Sequence, residues 1–373
     1  MAGPKRVVHM TTVHHPTDPR IFHKQCRSLA DAGFDVYYIA KDDPLMDDFD
    51  FVHHIPIKKY KSRLGRMIFG SFRAFREARK LKADLYVFHD PELMLVGALL
   101  KRKDNVVIYD IHEDYVTSIL QKDYLPKFLR KIVAKFYSWI EKLLLRRMEL
   151  SLAEKYYYDI YNRGELILNY PIMNEEYLAH ERKNKPIEAK LLYTGNVTED
   201  RGALIHAGIP MVNKDVSVHF VGRCSKALSE KMFARADGES ERLHFQGIER
   251  FVEKSDIDQK YFERNWLAGI ALFPPTEHYM KKELTKFFEY MNAGLPIICS
   301  NFPVWESFIN KYQCGIVVDP YSAEEINAAL SFLLDNPDEA YKMGDNGKKA
   351  VKEELSWQEE ERKLIKWYNE LLR

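Results

Sequence analysis

Apolar positions recur along the chain in two patterns, short continuous runs and longer stretches with a three- or four-residue spacing. The short runs predict buried strands, and the periodic stretches between them predict amphipathic helices. In the first half the predicted strands are Arg6–Thr12, Val36–Ala40, Leu85–His89, Val106–Ile111 and the run that begins at Leu166. A helix predicted at Arg20–Ala32 separates the first two. Because strands that alternate with helices pair in parallel, this order predicts a parallel sheet.

The second half repeats the alternation. Its predicted strands begin at Lys190, Val216, His244, Gly269, Pro296 and Gly315. The helix before Pro296 has an apolar stripe made by Leu284, Phe287, Phe288 and Met291, and Gly294 is placed to end it. At 373 residues, the chain is long enough for two α/β domains, each with its own core.

Composition narrows the class of protein. Hydrophobic residues make up 46% and charged residues 30% of the chain, as in soluble globular proteins. The formal net charge of +1 argues against a nucleic-acid partner. The four cysteines form no CxxC pair, so neither a zinc site nor a disulfide framework is expected. No apolar run is long enough to span a bilayer and none resembles a secretion signal, so we expect a cytoplasmic protein.

The helix around Lys286 carries the first candidate chemistry. Lys286 and Glu289 are three residues apart, near the start of a helix that follows a strand, and therefore share one helical face. Lys286 and the helix N-terminus suit the phosphates of a ligand, and Glu289 suits a pair of hydroxyl groups. The alternative is an ordinary ion pair on an exposed helix surface.

The run Lys-Phe-Phe-Glu-Tyr-Met-Asn-Ala-Gly-Leu-Pro, residues 286–296, resembles the nucleotide-binding signature of the retaining glycosyltransferases of family 4. The resemblance implies the α/β GT-B fold, in which two Rossmann-like domains with parallel sheets face a central cleft. The expected N-terminal acceptor domain is 1–172, with a C-terminal helix at 357–373 crossing back onto it. The expected nucleotide-sugar domain is 187–356. Asp18-Pro19-Arg20-Ile21-Phe22 resembles the opening of a bacterial subgroup that builds cell-surface polysaccharide.

The resemblance also implies a donor site. Its expected residues are Gly195, Asn196, Arg201, Thr285, Lys286 and Glu289, with Glu289 on the ribose and the cations on the diphosphate. Two positions depart from the family pattern. Asn196 stands where an arginine is usual, and Lys281 stands where the first glutamate of a Glu-x7-Glu pair usually meets the donor sugar. Glu277, His278 or Glu283 could replace that glutamate, and the sequence does not choose among them.

Polar clusters at two strand ends are the candidates for the reacting groups, because ligands of open parallel sheets bind beyond the carboxyl ends of strands. The clusters are His89-Asp90-Pro91 and Tyr109-Asp110-Ile111-His112-Glu113. The resemblance implies that His112 contacts the transferred sugar and that Glu113 or Asp114 contacts the acceptor hydroxyl. Together with Lys286, His112 and Glu113 are the expected catalytic residues. Arg20 is a further candidate contact, whereas His89 has a structural role as the favoured alternative. No metal is expected, since fixed cations would take its place on the diphosphate.

Two basic amphipathic segments, 58–82 and 124–147, predict contact with an anionic membrane surface. Phe128, Ile132, Phe136, Ile140 and Leu144 recur at four-residue steps beside a lysine-rich face. That combination suits a helix lying on a bilayer. The alternative is that each apolar stripe packs against its own domain.

These observations predict a glycosyltransferase that moves a hexose-type sugar from a UDP- or GDP-linked donor to a glycan or lipid-linked acceptor. It would be metal-independent, use no cofactor, and be peripheral on the inner face of the plasma membrane. Two alternatives remain open. One is a nucleotide-sugar epimerase of GT-B architecture, which would need no acceptor, and the other is a non-catalytic GT-B scaffold, suggested by Asn196 and Lys281.

Overall fold

A computed structural model of the chain describes residues 3–112, 114–120, 126–173, 175, 179, 182 and 186–373. The chain divides into two compact units. The first comprises the described residues up to Asn169 together with Trp357–Arg373, and the second comprises those in Tyr170–Ser356. The C-terminal helix therefore belongs to the first unit although 187 residues of sequence separate it from Asn169.

The first unit is built on a seven-stranded sheet in which every described pairing is parallel. Its strands are β1 (Arg6–Met10), β2 (Asp35–Lys41), β3 (His53–Ile57), β4 (Leu85–Phe88), β5 (Val106–Ile111), β6 (Glu149–Leu152) and β7 (Glu165–Leu166). Their spatial order is β3-β2-β1-β4-β5-β6-β7. The chain thus winds outward from β1 in one direction and from β4 in the other.

Helices cover both faces of this sheet. They are α1 (Arg27–Asp31, preceded by a π-helical segment Pro19–Cys26), α2 (Arg63–Gly65, continued by a π-helical segment Arg66–Gly70), α3 (Ser71–Leu81), α4 (Met94–Leu100), α5 (Tyr115–Leu120), α6 (Lys127–Leu144) and α7 (Tyr157–Tyr161). Side chains from α3, α4 and the turn after α6 share one core with the sheet. A second core on the other face joins the Pro19–Cys26 segment and α1 to the C-terminal helix Trp357–Leu371.

The second unit has a six-stranded sheet whose described pairings are also all parallel. Its strands are β8 (Glu188–Thr194), β9 (Ser217–Cys224), β10 (Leu243–Ile248), β11 (Trp266–Ala271), β12 (Ile297–Ser300) and β13 (Gly315–Val318). They lie in the order β10-β9-β8-β11-β12-β13. This is the same doubly wound order as in the first unit.

The helices of the second unit follow its strands. They are α8 (Ala203–Ala207), α9 (Ile209–Val212), α10 (Lys226–Arg235), α11 (Lys254–Glu263), α12 (Glu277–Met280), α13 (Thr285–Asn292), α14 (Pro303–Tyr312), α15 (Ala323–Asp335) and α16 (Pro337–Glu353); the C-terminal helix of the first unit is α17 (Trp357–Leu371). As the sequence predicts, Phe287, Phe288 and Met291 on α13 are buried, and Gly294 follows with φ +70°.

The strand order identifies where a ligand would bind in each unit. A doubly wound sheet leaves a crevice beyond the carboxyl ends of the two strands at which the winding reverses. These strands are β1 and β4 in the first unit, and β8 and β11 in the second. Two parallel-sheet α/β units with this topology confirm the predicted fold class.

Two local expectations are wrong, and two strands were not predicted. The predicted helix Arg20–Ala32 is an α-helix only over Arg27–Asp31, because its first two turns are π-helical. The run from Leu166 pairs only over Glu165–Leu166. The short strands β3 and β6 were not predicted.

Candidate active site

A glycine turn follows β8, one of the two strands at which the winding of the second sheet reverses. Gly195 follows Thr194 with φ +86°, a conformation that favours glycine, and its N–H donates to the Val221 carbonyl at 2.8 Å. A Cβ atom at Gly195 would lie 3.6 Å from the Lys286 Nζ. The turn therefore brings a half-exposed stretch of backbone next to a lysine ammonium group.

Lys286 lies in the first turn of α13 and is 9% exposed. Its Nζ donates to the carbonyl of Thr194 at the end of β8 and lies 4.2 Å from the centroid of the Tyr193 ring. Burial lowers the pKa of Lys286 to about 7, with Glu289 opposing this shift and Arg201 adding to it. A lysine held in this way gains most when an anion arrives beside it, because the anion favours the charged form.

Glu289 lies one turn after Lys286 and keeps 24% of its side chain exposed. Its Oε2 accepts a hydrogen bond from the Tyr261 hydroxyl at 3.2 Å, and its Oε1 is 3.8 Å from the Nζ of Lys254. Tyr261 in turn bonds the Thr194 hydroxyl at 2.9 Å. The carboxylate is thus oriented from one side and retains free acceptor capacity, as recognition of a pair of hydroxyl groups requires.

Arg201 approaches the same place from the turn before α8. Its Nε donates to the Tyr279 hydroxyl at 3.2 Å, and that hydroxyl donates to Asp200 Oδ2 at 3.0 Å. Arg201 is half-buried and its charge acts on both Lys286 and Tyr193. Tyr279 therefore bridges Arg201 to Asp200.

The structure therefore brings Gly195, Arg201, Lys286 and Glu289 together around the carboxyl end of β8. Asn196 is next to them in sequence but exposed, and its carbonyl accepts from the Tyr193 hydroxyl at 2.9 Å. Thr285, the first residue of α13, is also exposed.

Lys281, at the position where the family usually has a glutamate, makes a local ion pair. It is exposed just after α12 and forms an ion pair with Glu277 at 2.8 Å. Glu283 is half-buried, and the side chain of His278 lies outside what the structure describes. The choice among the three substitutes for the first glutamate stays open.

In the first unit, a buried carboxylate organises the carboxyl end of β5. The Asp110 carboxylate accepts hydrogen bonds from Nε and Nη2 of Arg20 at 3.0 and 2.6 Å, and His89 Nδ1 lies 3.0 Å from Asp110 Oδ2. Burial alone would raise the pKa of Asp110, but Arg20, His112 and His89 together hold it well below its usual range. Gln25 and Ser151 complete the set of donors.

Arg20 is 4% exposed and also donates to the Ile167 carbonyl at 2.9 Å. Its Nε and Nη2 therefore hold the Pro19–Cys26 segment on the sheet, whereas its buried Nη1 has no hydrogen-bond partner among the described residues. Contact of Arg20 with the sugar or the acceptor stays a prediction. His89 is buried between Asp110 and His9, which matches the structural alternative. Burial lowers the pKa of His89 despite the neighbouring carboxylate.

His112 is the member of this cluster that reaches towards the surface. It is 13% exposed and its Nδ1 lies 3.4 Å from Asp110 Oδ2. Its Nε2 faces the Nε2 of His14 at 2.9 Å, and His14 in turn approaches Asp90 and Asp18. Two imidazole nitrogens at this distance must share one proton. His112 is therefore held in place from both sides at the carboxyl end of β5.

The remaining predicted residues of the first unit have mixed outcomes. Asp114 caps α5, since its carboxylate accepts from the N–H and hydroxyl of Thr117 at 3.0 and 2.6 Å. Glu113 lies outside the described residues. Asp18 caps the Pro19–Cys26 segment by accepting from the N–H groups of Arg20 and Ile21.

One described cluster has the composition of a metal site. Ligand atoms of His89, Asp110 and His112 lie within 4.8 Å of one another. Because the Arg20 guanidinium already pairs with both Asp110 oxygens, a cation there would meet a fixed positive charge, and these residues do not suit a metal. The chain has two Asp-x-Asp triplets. Asp48 and Asp50 are exposed in the first unit, and Asp256 and Asp258 lie on α11, two apart and so not on one face.

The residues that sequence reasoning missed are tyrosines. Tyr193, Tyr261 and Tyr279 position Lys286, Glu289 and Arg201 respectively. With 22 tyrosines in the chain and contacts that span 28 to 93 positions, neither composition nor local spacing marks these three.

Comparison with known families agrees with the geometry. The model described as Glycosyltransferase Family 4 matches residues 19–153, and that described as Glycosyl transferases group 1 matches residues 278–350. Together they span more than half of the chain, and the second includes α13. The chain belongs to the family 4 glycosyltransferases. Within the described residues, no helix of this family 4 chain is long and apolar enough to cross a bilayer.

Relatives of this family 4 chain are distant in sequence. It is 22% identical over 300 residues to the MMP alpha-(1->4)-mannosyltransferase of Mycolicibacterium hassiacum, covering 77% of this chain and 71% of that protein. The sucrose-phosphate synthase structure of Thermosynechococcus elongatus matches 98% of this chain and 99% of its own, with 17% identity and a TM-score of 0.72. The Anabaena protein HepE, whose structure contains UDP and glucose, matches with 11% identity, a TM-score of 0.68, and coverage of 98% and 100%.

Proposed function

We propose that this chain is a retaining glycosyltransferase that moves a hexose-type sugar from a UDP- or GDP-linked donor to an acceptor hydroxyl. The observation that carries the proposal is the convergence of Arg201, Lys286 and Glu289 at the carboxyl end of β8. Two cations and one carboxylate around a glycine turn match the diphosphate and the ribose of a nucleotide sugar.

The diphosphate would lie against Gly195, whose lack of a side chain leaves its backbone open to a close approach. Lys286 already has its Nζ beside this turn, and Arg201, held by Tyr279 and Tyr193, offers a second positive charge. As the bond from the anomeric carbon to the diphosphate breaks, negative charge grows on the leaving oxygen, and these fixed cations stabilise it. Arg201 and Lys286 would therefore supply the charge neutralisation that a magnesium ion supplies elsewhere, so that the reaction is metal-independent.

Retention of configuration is proposed to proceed on one face of the sugar, with no covalent intermediate on the protein. The acceptor attacks the face from which the diphosphate leaves, and a leaving phosphate oxygen takes the proton of the acceptor hydroxyl. His112 contacts the transferred sugar, and its fixed orientation between Asp110 and His14 suits that role. Glu113 and Asp114 remain the proposed contacts of the acceptor.

The acceptor would be a lipid-linked glycan in the synthesis of a cell-surface polysaccharide. This part rests on the two basic segments, 58–82 and 124–147, both of which belong to the first unit. A protein that lies on the inner face of the plasma membrane meets a lipid-linked acceptor at the level of its headgroup. No nucleic acid is proposed as a partner.

Binding of donors to wild type and a Glu289→Gln variant tests the proposal. UDP, GDP, UDP-glucose and GDP-mannose would be titrated by calorimetry. The glutamine amide oxygen in the variant can still accept from Tyr261, so the fold should persist, while loss of a charged acceptor for two hydroxyls should weaken binding by about tenfold to a hundredfold. Glu306→Gln, at an exposed position on α14, is the control.

The outcomes separate the proposal from its rivals. Failure of all four ligands to bind, or equal binding by wild type and Glu289→Gln, would refute the donor site. Incubation of wild type with a bound nucleotide sugar alone should release some free sugar by transfer to water, with the anomeric configuration kept. An isomerised nucleotide sugar would instead identify an epimerase, and tight binding without turnover in the presence of acceptors would identify a scaffold.

A further inference from the structure

The outward surface of one helical layer in the first unit is unusually apolar. Helices α3, α4 and α6 pack their inner sides on the same face of the sheet, and α4 contacts both of the others. Their outer sides, together with α2 and the π-helical segment Arg66–Gly70 that lead into α3, expose large hydrophobic side chains. The exposed fractions are 71% for Leu64, 62% for Ile68, 60% for Phe69, 64% for Phe72, 59% for Leu95, 60% for Leu99, 68% for Phe128, 58% for Ile132, 61% for Phe136 and 62% for Trp139. We call these ten residues the apolar face.

Packing explains only the end of the α6 stripe, where Ile140 and Leu144 are half-buried and Leu144 packs against the core. A stripe that serves packing must be buried, yet Phe128, Ile132 and Phe136 are more than half exposed. The buried side of α6 is formed instead by residues such as Ala134 and Glu141. Soluble monomers usually expose large apolar side chains singly, whereas ten are exposed on this helical layer. We therefore expect a binding partner to cover the apolar face.

The centre of the face differs from its flanks. Helix α4, Met94–Leu100, has the sequence MLVGALL and contains no charged residue. Of its side chains, Leu95 and Leu99 point outward, one turn apart. The sequence alone does not mark α4, because a short apolar helix between two strands is indistinguishable from a buried one until its exposure is known.

Charge identifies the occupant. Residues 58–82 contain ten Lys or Arg and one acid, and residues 124–147 contain seven and one, whereas the whole chain has a net charge of +1. A second copy of this face would bring like charges together in a two-fold interface. A bilayer containing anionic lipids supplies both the negative surface and the apolar layer beneath it.

We propose that α4, α6 and α3, the last with the turns Arg63–Gly70 that precede it, form a single membrane-insertion face, in which α4 enters the headgroup–acyl boundary between two basic flanks. Leu95, Leu99 and the aromatic residues would insert, while Lys131, Lys135 and Arg73 remain at the level of the phosphates. The lipid-linked nature of the acceptor rests on the proposed function. The insertion itself does not depend on which sugar is transferred, or on transfer at all.

The chain carries its own reporter for the test. Trp139 is 62% exposed on the face, whereas Trp266, Trp305 and Trp357 are buried and Trp367, on α17, is half-buried. Titration of the full chain with vesicles of phosphatidylglycerol and phosphatidylcholine, without donor or acceptor, should shift tryptophan emission to the blue. Quenching by lipids brominated near the glycerol end should follow, and Trp139→Phe should remove both signals while binding in a sedimentation assay remains.

Matched variants then separate insertion from charge attraction. Leu95→Ser with Leu99→Ser should weaken the partition coefficient about tenfold or more, and Lys131→Gln with Lys135→Gln should weaken it on anionic vesicles only. Phe251→Ser, at a phenylalanine 71% exposed in the second unit, should change nothing. Circular dichroism and thermal melting check that each variant is folded.

Three results would overturn the proposal. They are absence of binding to anionic vesicles, binding unaffected by the α4 double variant, and light scattering that shows a stable dimer lost in that double variant. The last would assign the face to a second copy. If vesicles bind but no nucleotide does, the membrane-insertion face stands and the proposed transferase function falls. If a nucleotide binds but vesicles do not, the transferase function stands and the membrane-insertion face falls.

Discussion

Proton uptake on donor binding is the most direct consequence of the buried lysine. In the free protein, burial lowers the pKa of Lys286 to about 7. A diphosphate against Gly195 would favour the ammonium form and return this pKa towards the ordinary value of about 10.4. Two charged residues already act on Lys286. Glu289 raises its pKa and Arg201 lowers it, so the charge of the ligand decides how far the pKa rises on binding.

The size of the effect follows from the two pKa values. At pH 7 about half of the Lys286 side chains are unprotonated, so binding should take up about 0.5 proton, rising to about 0.9 at pH 8 and falling to about 0.1 at pH 6. The contribution of Lys286 to affinity is complete below pH 7 and is lost as pH rises towards the pKa in the complex. Raising the pH from 6 to 8.5 should therefore weaken donor binding about 30-fold, which corresponds to about 2 kcal/mol of binding free energy.

Calorimetry in pairs of buffers with different ionisation enthalpies measures this uptake. UDP-glucose and GDP-mannose are suitable ligands, because their esterified diphosphates do not titrate between pH 6 and pH 8.5. Lys286→Met should remove the uptake and most of the affinity. Lys281→Met is the matched control, since Lys281 is exposed and paired with Glu277, and it should leave the uptake unchanged.

Two results would refute this reasoning. If wild type binds a nucleotide sugar with no proton uptake at any of these pH values, Lys286 is not the group that meets the diphosphate. If Lys281→Met abolishes the uptake, the titrating lysine is the exposed one, and the buried position of Lys286 has another purpose.

Two further substitutions test how the site is positioned. Tyr279→Phe keeps the ring packed against Phe273 but removes the bridge between Asp200 and Arg201, so calorimetry should find donor affinity about 3- to 10-fold lower at unchanged melting temperature; unchanged affinity would show that Arg201 needs no such support. Gly202→Ala places a Cβ 1.8 Å from the Leu272 carbonyl oxygen at φ +75°, and urea denaturation should show a loss of at least about 2 kcal/mol; a fully stable variant would contradict the observed close approach.

The sequence predicts those features of the fold that depend on neighbouring residues. The apolar periodicity of α13 and the short runs of β5 and β13 correspond to elements that begin and end where expected. The strand β3 was missed because His53–Ile57 contains two histidines and a proline, as an edge strand can, and therefore lacks an apolar run. The strand β6 was missed because Glu149–Leu152 reads ELSL and contains no continuous apolar run.

The candidate site was predictable only in part, for the same physical reason. Lys286 and Glu289 are three residues apart, so their proximity follows from helical geometry. The partner of Arg20 lies 90 positions away at Asp110, and that of Arg201 lies 78 positions away at Tyr279. Such contacts depend on which strands become neighbours. Periodicity likewise shows that α6 has an apolar stripe, but not that Phe128, Ile132 and Phe136 within it face solvent.

A buried lysine beside a carbonyl and an aromatic ring is a poor choice for stability, and this is the strongest reason to consider it functional. Lysines are seldom so buried without a carboxylate in contact, and the depressed pKa of Lys286 means that keeping its charged form there costs the fold stability. Arg20, buried to a similar extent, is neutralised by Asp110 and holds two parts of its unit together. Lys286 has Glu289 one turn away but donates its hydrogen bond to a backbone carbonyl. A cation left without full compensation at a strand's carboxyl end, where ligands of such sheets bind, is completed when an anion arrives.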